Sequence, residues 1–86
     1  MDVKRLVFSD HARQQMAERG ASEAEVAEAI VSSEGTPAKR GRVAYRRNFQ
    51  YNRTWGGKLY RIKQVMPIVK EEHGSVIVIT IYTFYF

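Results

Sequence analysis

Arginines and aromatic residues interleave through Tyr45-Arg46-Arg47-Asn48-Phe49-Gln50-Tyr51-Asn52-Arg53-Thr54-Trp55. This composition suits nucleic acid, because guanidinium groups neutralise phosphate while aromatic rings stack on unpaired bases. In an alternating strand, Tyr45 and Phe49 serve equally well as the half that faces the core. Trp55 stands in a glycine-flanked turn where no core demands it, which leaves it open to a contact. Arg46, Arg47, Arg53, Trp55 and Lys58 are therefore the candidate nucleic-acid-binding residues.

Acid–base chemistry on phosphate is the reaction these residue types permit. Cutting RNA without a metal requires a base for the 2′-hydroxyl, cations for the pentavalent phosphate and an acid for the leaving oxygen. His11, Arg61, Lys63, Thr80 and Tyr82 supply those chemical types. His11 serves equally well as a structural residue that braces a helix against the sheet. Other chemistries fit poorly. His11 and His73 are the only histidines, share no ligand spacing and have no cysteine beside them, so no metal site is expected. Gly56-Gly57 lacks the lysine–serine pair of a phosphate loop. No serine has an evident base, and no cofactor is expected.

The charge distribution points to the same partner. The formal net charge is +5. Residues 1–38 hold four cations (Lys4, Arg5, Arg13, Arg19) against seven anions, while residues 39–86 hold ten cations against only Glu71 and Glu72. A one-sided basic surface suits a polyanion such as RNA, although it also serves solubility.

These residues need a scaffold, and the 86-residue chain has room for one hydrophobic core. One domain is expected over residues 1–86. Ser9 is a natural N-cap for a helix over Asp10–Arg19, stopped by Gly20 in the left-handed position. Ser22 with Glu25 forms a capping box for a second helix, whose Val26, Ala29, Ile30 and Ser33 share one face until Gly35 and Pro37 end it. From Gly41 the period becomes two. Strands are expected from Gly41 to Asn52, from Lys58 to Met66 and from Ser75 to Phe86, with Pro67 as a bulge, edge or strand end. The lead Val3–Phe8 is a candidate edge strand. The predicted architecture is α+β, with two N-terminal helices packed on one face of a three- to four-stranded antiparallel sheet. Ile77, Ile79, Ile81, Tyr60, Ile62, Tyr45 and Phe49 are expected beneath the helices. Arg46, Asn48, Arg61, Lys63, Val78, Thr80 and Tyr82 are expected on the opposite face.

The N-terminal residues lead into three apolar residues, too few for a signal-peptide core, and no run approaches a membrane span. With no cysteine, the expectation is a soluble cytoplasmic protein.

The block Phe8-Ser9-Asp10-His11-Ala12-Arg13-Gln14-Gln15-Met16-Ala17-Glu18-Arg19-Gly20-Ala21-Ser22 resembles the opening signature of the family known as domain of unknown function 4258. Gly41, Tyr45, Gly57-Lys58-Leu59 and Val78-Ile79-Thr80-Ile81-Tyr82 resemble its later positions. That family in turn resembles bacterial ribonuclease toxins of the RelE and BrnT type. The resemblance implies a helix–helix–sheet ribonuclease in which sheet-borne lysines, arginines and a C-terminal tyrosine act, with Arg61, Lys63 and Tyr82 as analogues. It adds Arg19, beside His11, to the candidate catalytic residues. It also implies RNA, including ribosome-bound RNA, and a cognate antitoxin protein as partners, with the chain a monomer or homodimer. The competing classes are a module that grips RNA or a protein without cutting it, and a structural partner whose sheet edge pairs with another chain.

Overall fold

The computed structural model describes residues 5–86. Strand β1 (Arg5–Phe8) leads into helices α1 (Asp10–Arg19) and α2 (Glu23–Ser32). Five further strands follow: β2 (Thr36–Ala38), β3 (Arg42–Ala44), β4 (Arg47–Trp55), β5 (Lys58–Glu72) and β6 (Ser75–Tyr85). A 3-10 turn at Lys39–Gly41 joins β2 to β3.

Both helices begin as the sequence directs and α1 also ends so, whereas α2 stops at Ser32, with Ser33 already extended ahead of Gly35. The Ser9 side chain accepts the Ala12 N–H, and Gly20 (φ 78°) returns its own N–H to the Met16 carbonyl. At α2 the capping box is complete: Ser22 accepts from the Glu25 N–H while the Glu25 carboxylate accepts from the Ser22 N–H. Such reciprocal caps satisfy donors that a helix start otherwise leaves unpaired.

The sheet is larger than the three or four antiparallel strands expected, and it is mixed. Six strands lie in the order β1-β6-β5-β3-β2, with β4 also paired to β5. The β1–β6 pair is parallel and the others are antiparallel. The edge strand proposed for Val3–Phe8 is present over Arg5–Phe8; Val3 and Lys4 lie outside the described residues.

Pro67 does not end β5, which continues to Glu72. Its carbonyl accepts the Tyr45 N–H, but it has no N–H to return. The register runs straight on across this point, with Ala44 opposite Ile68 and Arg47 opposite Val65. β3 and β4 are thus one line of chain along β5, interrupted where proline removes a ladder bond. On the other edge, the Pro67 ring costs nothing in hydrogen bonds, because its partner Ile81 directs its own N–H outward to Gln15.

The inward face of the sheet also differs from expectation. Val65, Pro67 and Val69 of β5 are fully buried, together with Val78 and Ile81 of β6. Ile77 and Ile79 are only half-buried. A bulge separates the pairs Ile68–Thr80 and Val69–Val78, so the inward set of β6 changes from Val76 and Val78 to Ile81. An unbroken alternation cannot describe a strand that changes phase in this way. The helices bring Ala12, Met16, Val26 and Ala29 to the sheet, and the linker between them brings Ala21. Small residues allow close approach, and valine-sized side chains fill the space beneath them. The larger Ile62, Met66, Ile68 and Tyr82 are left to the uncovered face.

Candidate nucleic-acid interface

The uncovered face is assembled from paired strands. Ile68 lies opposite Thr80, Met66 opposite Tyr82 and Gln64 opposite Phe84. Beyond them, Ile62 and Phe86 exchange both backbone hydrogen bonds. Asn48 continues the Gln64 row and Gln50 the Ile62 row. Tyr82, Phe84 and Phe86 are 40%, 45% and 57% exposed.

At one end of this face, Ala38, Lys39, Arg40, Arg42, Ile68, Thr80 and Tyr82 line a cleft of about 340 Å3. Ile68 contributes an apolar floor, Thr80 and Tyr82 contribute hydroxyls, and the turn contributes three cations. Among the described residues that line it, none is acidic. Arg40 adopts φ 63° and ψ 34°, a left-handed conformation that a non-glycine residue rarely takes. Gly41 beside it is also left-handed (φ 71°), and a Cβ there would meet no atom within 4 Å. Such a backbone costs of order 1 kcal/mol or more and is held where the surroundings fix it.

Tyr82 is further bounded by Arg19. The Arg19 guanidinium donates to the Ile81 carbonyl at 2.6 Å and lies 5.3 Å from the centroid of the Tyr82 ring. α1 therefore runs beside the β6 edge beyond β1. Ser9 Oγ donates to the Ile79 carbonyl, Gln15 Oε1 accepts the Ile81 N–H, and Thr83 Oγ1 donates to the Arg19 carbonyl.

The six candidate catalytic residues do not converge. Thr80 and Tyr82 line the cleft, and Arg19 lies over the Tyr82 ring without lining it. Arg61 lines a second depression with Gln50, Asn52 and Ile62. It lies five residues along β5 from Met66, the partner of Tyr82, or about 17 Å at a strand's rise. Lys63 was expected on the uncovered face but is only 5% exposed and lies on the helix side. Its ammonium donates to the Gly20 carbonyl and to Glu25 Oε1, the latter at 2.8 Å. The parity of β5 follows Val65 and Val69, and Lys63 travels with them. Burial pushes the Glu25 carboxyl up, but the bond from Lys63 and the Ser22 N–H outweigh that and hold it below its ordinary value. His11 is exposed at the start of α1, where Ala12 faces the sheet. The bracing role considered for it belongs instead to Ser9, Gln15 and Arg19.

The candidate binding residues divide similarly. Arg46, Arg53 and Lys58 are exposed. Arg47 bonds Ser32 at 2.8 Å, approaches Glu28 at 3.6 Å and leaves its buried Nε without a partner, which ties β4 to α2. Trp55 stacks on Tyr85 with centroids 4.9 Å apart and planes 13° apart. Tyr51 and Tyr60 join that cluster at 5.3 and 5.7 Å from Tyr85, whose hydroxyl donates to the Arg19 carbonyl.

Lys39, Arg40, Arg42, Phe84 and Phe86 are not among the candidate site residues read from sequence, although their neighbour Tyr82 is. The signal for the cations was present in Lys39-Arg40-Gly41-Arg42, three cations in four residues after Pro37.

Among the described residues no cluster of three or more His, Cys, Asp or Glu side chains gathers, and no helix is long and apolar enough to cross a membrane. No family model, curated protein or solved structure matches the chain. The resemblance of the His11–Gly20 block to the domain of unknown function 4258 therefore rests on those residues alone.

Proposed function

We propose that this chain binds RNA on the uncovered face of its sheet, with a phosphate held in the cleft of Lys39, Arg40, Arg42, Thr80 and Tyr82. The cleft carries this function: three cations and two hydroxyls meet there, and no described lining residue is acidic. Guanidinium groups bond phosphate in paired geometry, and a lysine adds a point charge. Binding through phosphate releases counterions, so affinity should fall as salt rises. Titration of labelled single-stranded RNA at several salt concentrations tests this. Arg40→Ala with Arg42→Ala should flatten the log–log slope by about 0.7 for each phosphate that is no longer neutralised. Affinity indifferent to salt, or a slope unchanged in that double variant, overturns it.

A second function, metal-independent endoribonuclease of bacterial toxin type, is favoured by the position of Tyr82. Its phenol shares the cleft with the cations, which supplies a proton donor beside groups suited to a pentavalent phosphate. On this proposal the protein acts on cytoplasmic RNA and an antitoxin protein restrains it. RNA incubated with the protein in chelator-containing buffer should be cut, and Tyr82→Phe should slow cutting by about 10²-fold or more. Intact RNA under those conditions, with salt-sensitive binding retained, leaves the protein as a binding module.

A further inference from the structure

Tyr82, Phe84 and Phe86 stand at alternate positions leading away from the cationic cleft. The Tyr82 and Phe84 ring centroids are 6.5 Å apart, with planes 21° from parallel. That spacing follows from two residues of strand rise, about 6.8 Å. It is nearly twice the ~3.4 Å by which successive bases rise along one strand of duplex DNA, and A-form RNA does not rise further. Bases set one to a ring must be drawn apart, which an unpaired strand permits and a paired one resists.

From this spacing we infer that the ligand is a single-stranded segment of RNA whose successive bases stack on Tyr82, Phe84 and Phe86 while its backbone enters the Lys39–Arg42 cleft. The inference rests on the proposed RNA-binding function and specifies the form of RNA and the residues that select it. Charge complementarity favours this occupant over an apolar protein surface: Lys39, Arg40 and Arg42 crowd one end of the row, and Arg46 is exposed beside it. The Gln64–Asn48 amide pair, joined at 2.8 Å, flanks Phe84 and places polar groups where a base edge would lie.

Aromatic and cationic contacts leave different signatures. Stacking does not release counterions, whereas phosphate contacts do. The test measures binding of a six-nucleotide oligouridylate and of a blunt RNA duplex by fluorescence anisotropy at several salt concentrations. Wild type should prefer the single strand. Phe84→Ala and Phe86→Ala should each weaken it by about 5- to 100-fold with the salt slope unchanged, and Phe84→Trp should retain affinity. Arg40→Ala with Arg42→Ala should instead reduce the slope. Both phenylalanines are exposed, and melting temperatures near wild type would verify that their variants fold. Equal affinity for duplex and single strand, or full affinity in the phenylalanine variants while the arginine variant loses slope, overturns the inference and leaves phosphate binding intact. Absence of salt-dependent binding in wild type overturns both. Dissociation of a dimer in Phe84→Ala, with RNA affinity unchanged, would show instead that the aromatic row joins two copies of the chain.

Discussion

The Lys63 ammonium lies 2.8 Å from Glu25 Oε1 beneath the start of α2, and the same carboxylate oxygen accepts the Ser22 N–H that opens the helix. A helix cap, a buried cation and a central strand thus share one atom. Lys63 also donates to the Gly20 carbonyl, so the end of α1 is drawn into the same knot. The ammonium thus takes its partners on the helix side, at the expense of any contact with a ligand on the far face.

Glu25→Gln should therefore destabilise the fold. The amide still accepts from Ser22, but the buried Lys63 ammonium loses its counterion. Breaking a buried pair costs about 3–5 kcal/mol; with the Glu25 side chain 26% exposed, about 2–3 kcal/mol is expected. The pH dependence has a definite sign. The folded Glu25 carboxyl lies below its unfolded value, so its contribution is complete above the ordinary carboxylate range near pH 4.5 and is lost as pH falls through the folded value. Urea denaturation should show a wide gap between wild type and Glu25→Gln at about pH 7, closing below about pH 4. A gap independent of pH would refute the pairing.

Gly20 is required for two reasons at once. Its φ of 78° strains any other residue, and a Cβ would lie 2.7 Å from a Trp55 ring carbon and 2.8 Å from the Tyr85 hydroxyl. Gly74 has the same φ, but a Cβ there would meet nothing within 4 Å. Gly74→Ala should cost about 1 kcal/mol from backbone strain alone, and Gly20→Ala about 3 kcal/mol or more because overpacking is added. Thermal melts of the two variants should separate by roughly 10 °C for a domain of this size. Equal losses would mean that the Trp55–Tyr85 stack yields without cost.

Gln15 is the buried acceptor that completes the β6 edge. Its Oε1 takes the Ile81 N–H at 2.8 Å in place of a neighbouring strand. Gln15→Leu should leave that N–H unpaired and cost about 1–3 kcal/mol. Hydrogen exchange at Ile81 should accelerate more than at Val65, whose amide lies in the sheet interior. Unchanged exchange at Ile81 would show that the helix does not protect the edge.

Local chemistry made much of this fold legible. Ser9, Gly20, Ser22 and Glu25 act through bonds a few residues long, so both helices could be drawn from sequence. The charge contrast between the two halves is likewise fixed by composition. Facing was legible only in part. Ile81 lies inward and Thr80 and Tyr82 line the uncovered face as expected, whereas Val78 and Lys63 are buried on the helix side against expectation. β5 alternates apolar residues on both sides, Val65 and Val69 against Ile62 and Ile68, and alternation alone cannot say which set the helices cover. Close approach of small helix residues decided for the valines, which drew Lys63 inward and left the larger side chains outside. A bulge then shifted the phase of β6 and set Tyr82, Phe84 and Phe86 on the uncovered face. The cleft joins Lys39–Arg42 to Thr80 and Tyr82, far apart along the chain, and only the pairing of β3 and β6 to the two edges of β5 brings them together. Sequence determined the elements and their charge; long-range packing determined which side chains face a ligand, because strand parity and register belong to the assembled sheet.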